Sequence, residues 1–207
     1  AAEIPLLIGV DEEGGTVARA TRNPHLFPAK RQSPQAVYAQ GGMEAVLADT
    51  RQVNEGLLSY GINVNFAPVA DVSTDSADFI YDRSFGQDAA ATADYVSQVV
   101  SEMEAVGIGS VLKHFPGYGS NADTHTGVAV DERPYDLAMD AVEAYAQDGS
   151  VAVLAVLAGN DMVVTTDFTT QIPLVIAAVE DGTIDEALVD QAVSRVLGWK
   201  YDLGLLG

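Results

Sequence analysis

Cysteine is absent from this chain, which rules out disulfides, thiolate metal sites and a cysteine nucleophile. Basic residues are scarce: ten Lys and Arg stand against thirty Asp and Glu, a formal charge of −20 at pH 7. Binding to a nucleic-acid backbone draws its affinity from Lys and Arg neutralising phosphates, so nucleic acid is set aside as a partner. An anionic membrane surface is disfavoured on the same ground. No stretch approaches the ~18 consecutive apolar residues of a membrane span, and the opening AAEIPLLIGVDEEGG has neither a basic region nor an apolar run of signal length. Compartment stays open.

What is present suits a globular protein: 207 residues, 48% of them hydrophobic and 19% charged, with no linker, charge block or low-complexity stretch. One domain over 1–207 is expected. Residues 4–10, IPLLIGV, form an apolar run that breaks into DEEGG, the pattern of a strand buried on both faces and ending in a loop. Ser33-Pro34 reads as an N-cap followed by a first-turn proline. Met43, Val46, Leu47, Leu57 and Leu58 then mark a helix that stops at Gly61, and INVNFAPVAD follows as a second buried strand. The same order recurs about 46 residues later. Tyr95, Val96, Val99, Val100, Met103 and Val106 mark a helical face, Gly107 ends it, and IGSVLKHFPG follows. Helix, glycine, strand and polar loop in repetition are the signature of β/α units around a parallel sheet. LAGNDMVV near the C-terminus is a further candidate strand, and residues 184–198 read as an amphipathic helix.

Each expected strand ends in polar residues: Asp11, Glu12 and Glu13, then Asp71, then Lys113 and His114, with Asp161 near the fourth. Parallel strands open their carboxyl ends onto one face, where residues distant in sequence can meet. The segment KHFPGYGSNADTHTG, 113–127, holds two of the three histidines and one of the three lysines. Asp123 lies two residues before His125, so that a carboxylate can hold one imidazole nitrogen and leave the other for chemistry. A metal site from His114, Asp123 and His125 matches no strong ligand motif, and His25 in its polar stretch reads as a surface residue.

Four stretches together resemble the catalytic domain of glycoside hydrolase family 3, in its bacterial β-N-acetylhexosaminidase branch: GVDEEGGTVAR at 9–19, YDRSFG at 81–86, KHFPGYGSNADTHTG at 113–127 and DLAMDAV at 136–142. The resemblance implies an α/β fold, a TIM-type (β/α) barrel, and removal of terminal β-linked N-acetylglucosamine by a retaining mechanism without a cofactor. It implies substrate binding by Asp11, Arg19, Arg83, Lys113 and His114, and acid/base catalysis by His125 with Asp123 as its orienting partner. Asp136 matches the neighbour of the family's attacking aspartate, whose own place is taken by Tyr135. The resemblance further implies that the barrel is incomplete as written, with an upstream strand and about two β/α units near 134–136 missing. A non-catalytic sugar-binding remnant of the same fold is the alternative.

Overall fold

The structure, a computed structural model, describes residues 4–115, 117–124, 126, 151–165 and 167–206. They fall into two compact units, Ala1–Asp131 and Glu132–Gly207, each with its own apolar core.

In the first unit, helix α1 (Pro34–Ser59) begins where the sequence predicts. Ser33 is extended, and its hydroxyl accepts the Ala36 N–H at 3.3 Å, satisfying one of the unpaired first-turn donors. Helix α2 (Ala89–Val106) is capped likewise by Asp88 on the Ala91 N–H at 2.9 Å and ends at a left-handed Gly107. Val46, Val53 and Leu57 of α1 pack with Tyr95, Val99 and Met103 of α2, and Phe85 stacks on Tyr95 at 4.3 Å. Leu57 and Met103 are fully buried, each contributing roughly 1.5–3 kcal/mol relative to exposure.

The helices deliver short parallel strands. β1 (Gly9–Val10), β4 (Val64–Asn65) and β5 (Gly109–Ser110) form a sheet in the order β1-β4-β5, with Gly9 beside Val64 and Val64 beside Gly109. Between β1 and α1, β2 (Glu12–Gly14) and β3 (Val17–Ala18) make an antiparallel hairpin. The carboxyl ends of the parallel strands therefore lead into Asp11, the segment ending at Asp71, and Lys113-His114. A single bridge continues the pairing, Val69 with Lys113.

Two expectations are corrected. The run 4–10 is not a strand buried on both faces: only Gly9–Val10 is strand, with Leu6 62% and Ile8 46% exposed. Among the described residues β1 lies at the edge of its sheet, so the run has a described strand neighbour on one side only. LAGNDMVV is not a strand either. Leu157 closes helix α3 (Val151–Leu157), residues 158–164 form no strand, and Asp161 pairs with Arg195 at 2.7 Å. Apolar runs of this length do not distinguish helix from buried strand, and here Ala152, Val153 and Leu154 are buried from a helix.

In this second unit, α4 (Phe168–Glu180) and α5 (Glu186–Asp202) join α3 around Val153, Ala178 and Ile184. Asp185 caps α5 through the Ala187 N–H at 2.9 Å, in keeping with the predicted amphipathic helix. No helix among the described residues is long and apolar enough to cross a membrane.

Candidate active site

The site grows out of the alternation in Asp11-Glu12-Glu13. Successive side chains along extended backbone point to opposite faces, and here Glu12 turns one way while Asp11 and Glu13 turn the other. Glu12 is wholly buried and accepts the Ala20 and Thr21 N–H groups at 2.7 and 3.1 Å and the Thr21 hydroxyl at 2.5 Å. Its backbone is pinned as well: the Asn65 side chain accepts its N–H at 3.1 Å and donates to its carbonyl at 3.2 Å, and Arg31 donates to that carbonyl at 2.8 Å. Asn65 comes from β4, and Arg31 is anchored to Asp49 of α1 at 2.7 Å. The segment carrying Asp11 and Glu13 is thus tied to sheet and helix before any ligand arrives.

On the other face a chain of alternating charges forms. Glu13, with its side chain 2% exposed, accepts two parallel bonds from Arg83, Nε to Oε2 at 3.0 Å and Nη2 to Oε1 at 2.9 Å. Lys113 pairs with both Glu13 and Asp11. Arg83 ends a 3-10 turn, Tyr81–Arg83, whose position is set by Gln35 of α1 donating to the Tyr81 and Ser84 carbonyls at 2.6 and 3.1 Å. Burial works against the guanidinium charge, but the bonds to Glu13 outweigh it and raise the Arg83 pKa above its ordinary value.

The chain ends on His114 and Asp71. Arg83 Nη2 lies 3.1 Å from His114 Nε2, and His114 Nδ1 lies 2.7 Å from Asp71 Oδ2. Asp71 also accepts the His114 N–H at 2.9 Å and the Tyr118 N–H at 2.7 Å. Burial pushes the Asp71 carboxyl up, yet the hydrogen bonds from the His114 ring and the two backbone N–H groups prevail and hold it below the usual carboxylate range. Tyr118 stands edge-on to the imidazole, ring centres 4.9 Å apart, and its hydroxyl meets Thr124 at 3.1 Å. Gly117 has φ +94°, and a Cβ there would come 3.3 Å from Asp71 Oδ1, so glycine is what lets the loop turn this close to the carboxylate.

Four of the expected sugar-binding residues, Asp11, Arg83, Lys113 and His114, are therefore brought together. Arg19 is exposed; its backbone N–H bonds the Asp11 carbonyl at 3.2 Å, and its side chain makes no ion pair with a described residue. Asp123 is partly buried in a turn where its carbonyl accepts the Thr126 N–H and hydroxyl at 3.1 and 2.9 Å. His125 and Asp136 lie outside the described residues. His25 is exposed. Glu13 and Asp71 were legible only as strand-end acids, although the i, i+2 spacing of Glu13 from Asp11 signals a shared face. Among the described residues no group of three or more His, Asp or Glu side chains could hold a metal ion.

Chemically the cluster offers directed partners for a neutral polyol. Lys113 spends two N–H groups on carboxylates and keeps one; the Arg83 Nη1 and the second Asp11 oxygen make no bond to a described residue. Such spacing of donors and an acceptor suits adjacent hydroxyls. Residues 1–137 match the model of the glycosyl hydrolase family 3 N terminal domain. The chain belongs to this family. A Beta-hexosaminidase of Xanthomonas campestris pv. campestris is 35% identical over 167 residues, covering 79% of this chain and 48% of that protein. This family 3 chain thus spans 48% of the length of that relative and 37% of a Beta-hexosaminidase of Hydrogenovibrio crunogenus.

Solved structures show the fold. A family 3 β-N-acetylglucosaminidase from Paenibacillus sp. superposes with TM-score 0.79 at 23% identity, over 99% of this chain and 51% of that one. A β-N-acetylhexosaminidase from Beutenbergia cavernae gives TM-score 0.72 at 24% identity, over 95% and 79%. The fold is the TIM-barrel type of the family's N-terminal domain, present here as a partial domain.

Proposed function

We propose that the protein is a glycoside hydrolase that removes terminal β-linked N-acetylglucosamine from cell-wall fragments or related glycosides by a retaining mechanism. The observation that carries the reading is the junction of three strand ends on one ion-paired cluster. Asp11, Arg83 and Lys113 keep hydrogen-bonding capacity toward a ligand while Glu13 holds the two cations in place. Family membership and the names of the relatives support it. In this mechanism His125 protonates the leaving oxygen and later activates water. An imidazole, with a reference pKa near ~6.5, serves both steps without a burial-raised pKa, and Asp123 orients it. Asp136 is the motif-supported carboxylate for the covalent step; in retaining enzymes the nucleophile and the acid/base carboxyl stand ~5 Å apart, on either side of the scissile bond. Arg19 joins the sugar site through the same motif as Asp11.

One observation favours a second reading, a non-catalytic sugar-binding remnant: Tyr135 stands where the family pattern has its attacking aspartate. Hydrolysis of a chromogenic N-acetylglucosaminide, with calorimetry of N-acetylglucosamine binding, separates the two. Turnover abolished by Arg83→Ala or Lys113→Ala is the expected result. Each lost donor removes roughly 1.5–3 kcal/mol, so binding also falls more than tenfold in either variant. Binding without turnover transfers the case to the remnant, and no binding at all sinks both.

A further inference from the structure

Asp71 takes no part in the charges facing a ligand, yet it is the most enclosed carboxylate of the cluster: its side chain is 0% exposed and it accepts three protein donors. The geometry bears on where the His114 proton sits. A guanidinium carries only donors, so at 3.1 Å from Arg83 Nη2 the His114 Nε2 is the acceptor. A neutral imidazole with Nε2 bare carries its proton on Nδ1, and an ionised carboxylate 2.7 Å away accepts it. The opposite tautomer sets N–H against N–H at one nitrogen and a lone pair against a carboxylate at the other.

We infer that Asp71 is a positioning residue that holds His114 in the Nδ1–H tautomer, so that the ring steadies Arg83 instead of donating to a ligand. The inference rests on the reading of this cluster as a sugar site. With its two Nη2 hydrogens engaged by Glu13 Oε1 and His114 Nε2, and its Nε–H by Glu13 Oε2, Arg83 presents Nη1 alone. The guanidinium is then held in plane by two anchors, which limits the side-chain entropy lost when it grips a hydroxyl. Asp71 extends the same hold to the loop. Its other oxygen fixes the Tyr118 N–H, and the Tyr118 hydroxyl reaches Thr124, next to Asp123.

The test is the proton itself. The chain has three histidines, so two-bond proton–nitrogen spectra of the 15N-labelled protein at neutral pH resolve each ring, with His114 assigned by its loss in His114→Gln. The wild-type ring is expected as Nδ1–H; an Nε2–H ring in the wild type overturns the inference. Asp71→Asn supplies one acceptor oxygen and one donor nitrogen where three N–H groups converge, so it is expected to move His114 toward the Nε2–H form. N-acetylglucosamine affinity should fall at least tenfold with it. An unchanged tautomer in a folded Asp71→Asn also overturns the inference, and if that variant does not fold the wild-type spectrum decides alone. Failure of the wild type to bind the sugar, with the tautomer as expected, strikes the sugar-site reading and leaves the assignment of Asp71 to His114 standing.

Discussion

Glu13 is the residue on which two cations converge, and its side chain is 2% exposed against 12% for Arg83 and 15% for Lys113. Removing one member of a buried ionic set leaves the others uncompensated, which costs more than the set itself contributes. Glu13→Gln keeps the volume and removes the charge, and is expected to lower stability by about 3 kcal/mol, read from urea midpoints. A midpoint equal to the wild type would show that Arg83 and Lys113 do not depend on it. Tyr95 is a second residue with a measurable signature. Burial pushes its phenol from 10.0 up to about 12. The folded state therefore favours the neutral ring: this contribution is complete below about pH 10 and is lost as pH rises through about 12. Tyr95→Phe should flatten the alkaline limb of a stability–pH curve, and an unchanged limb would place the alkaline transition on another group.

At the scale of elements, α1, α2 and α5 were legible, α3 and α4 were not, and the strands only in part. Ser33, Pro34 and Gly107 are local signals, readable because a cap depends on three or four adjacent residues. The helical pattern of the sequence runs straight through the bend in α1. Gly41 and Gly42 break its helical geometry, and Gly42 sits at φ 65°, ψ −158°, a region open essentially to glycine alone. Gly42→Ala is expected to cost roughly 1–3 kcal/mol by urea unfolding, and a neutral substitution would show that α1 can run straight through this point. Helix α4 carries weak local signals: Pro173 lies inside it, and β-branched Ile172, Val175 and Ile176 surround the proline. Strand extents failed for a related reason. An apolar run records burial, whereas pairing requires a neighbour, which the run does not encode.

For the whole molecule, a covalent glycosyl-enzyme needs a carboxylate across the sugar from the acid/base, and the family resemblance puts it after about two β/α units that we propose are missing near 134–136. A one-residue shift at a strand end turns a side chain to the opposite face, which is the displacement that separates Asp136 from the place now held by Tyr135. If those units are absent, the 207-residue chain is expected to bind N-acetylglucosamine yet give no labelled peptide with a 5-fluoro N-acetylglucosaminide in mass spectrometry, which is the outcome of the remnant reading. A chain with the intervening units restored should be labelled. A labelled peptide containing Asp136 from the shorter chain would refute this account of the segment near 134–136.

The amino-acid sequence by itself determined the class of the fold, the family and the residue types of the site. Caps, helical periodicity and motif spacing are local properties, and the absence of cysteine removes thiol chemistry. Only the tertiary structure decided which acids matter. Asp11, Glu12 and Glu13 are adjacent and alike in sequence, but the pleat sends Glu12 into the hairpin, to bind Thr21, and Glu13 toward two cations drawn from 70 and more residues away. Asp71 was one strand-end acid among several until the fold set it under His114 and Tyr118. Partners so far apart in the chain meet only when parallel strands bring their ends to one edge.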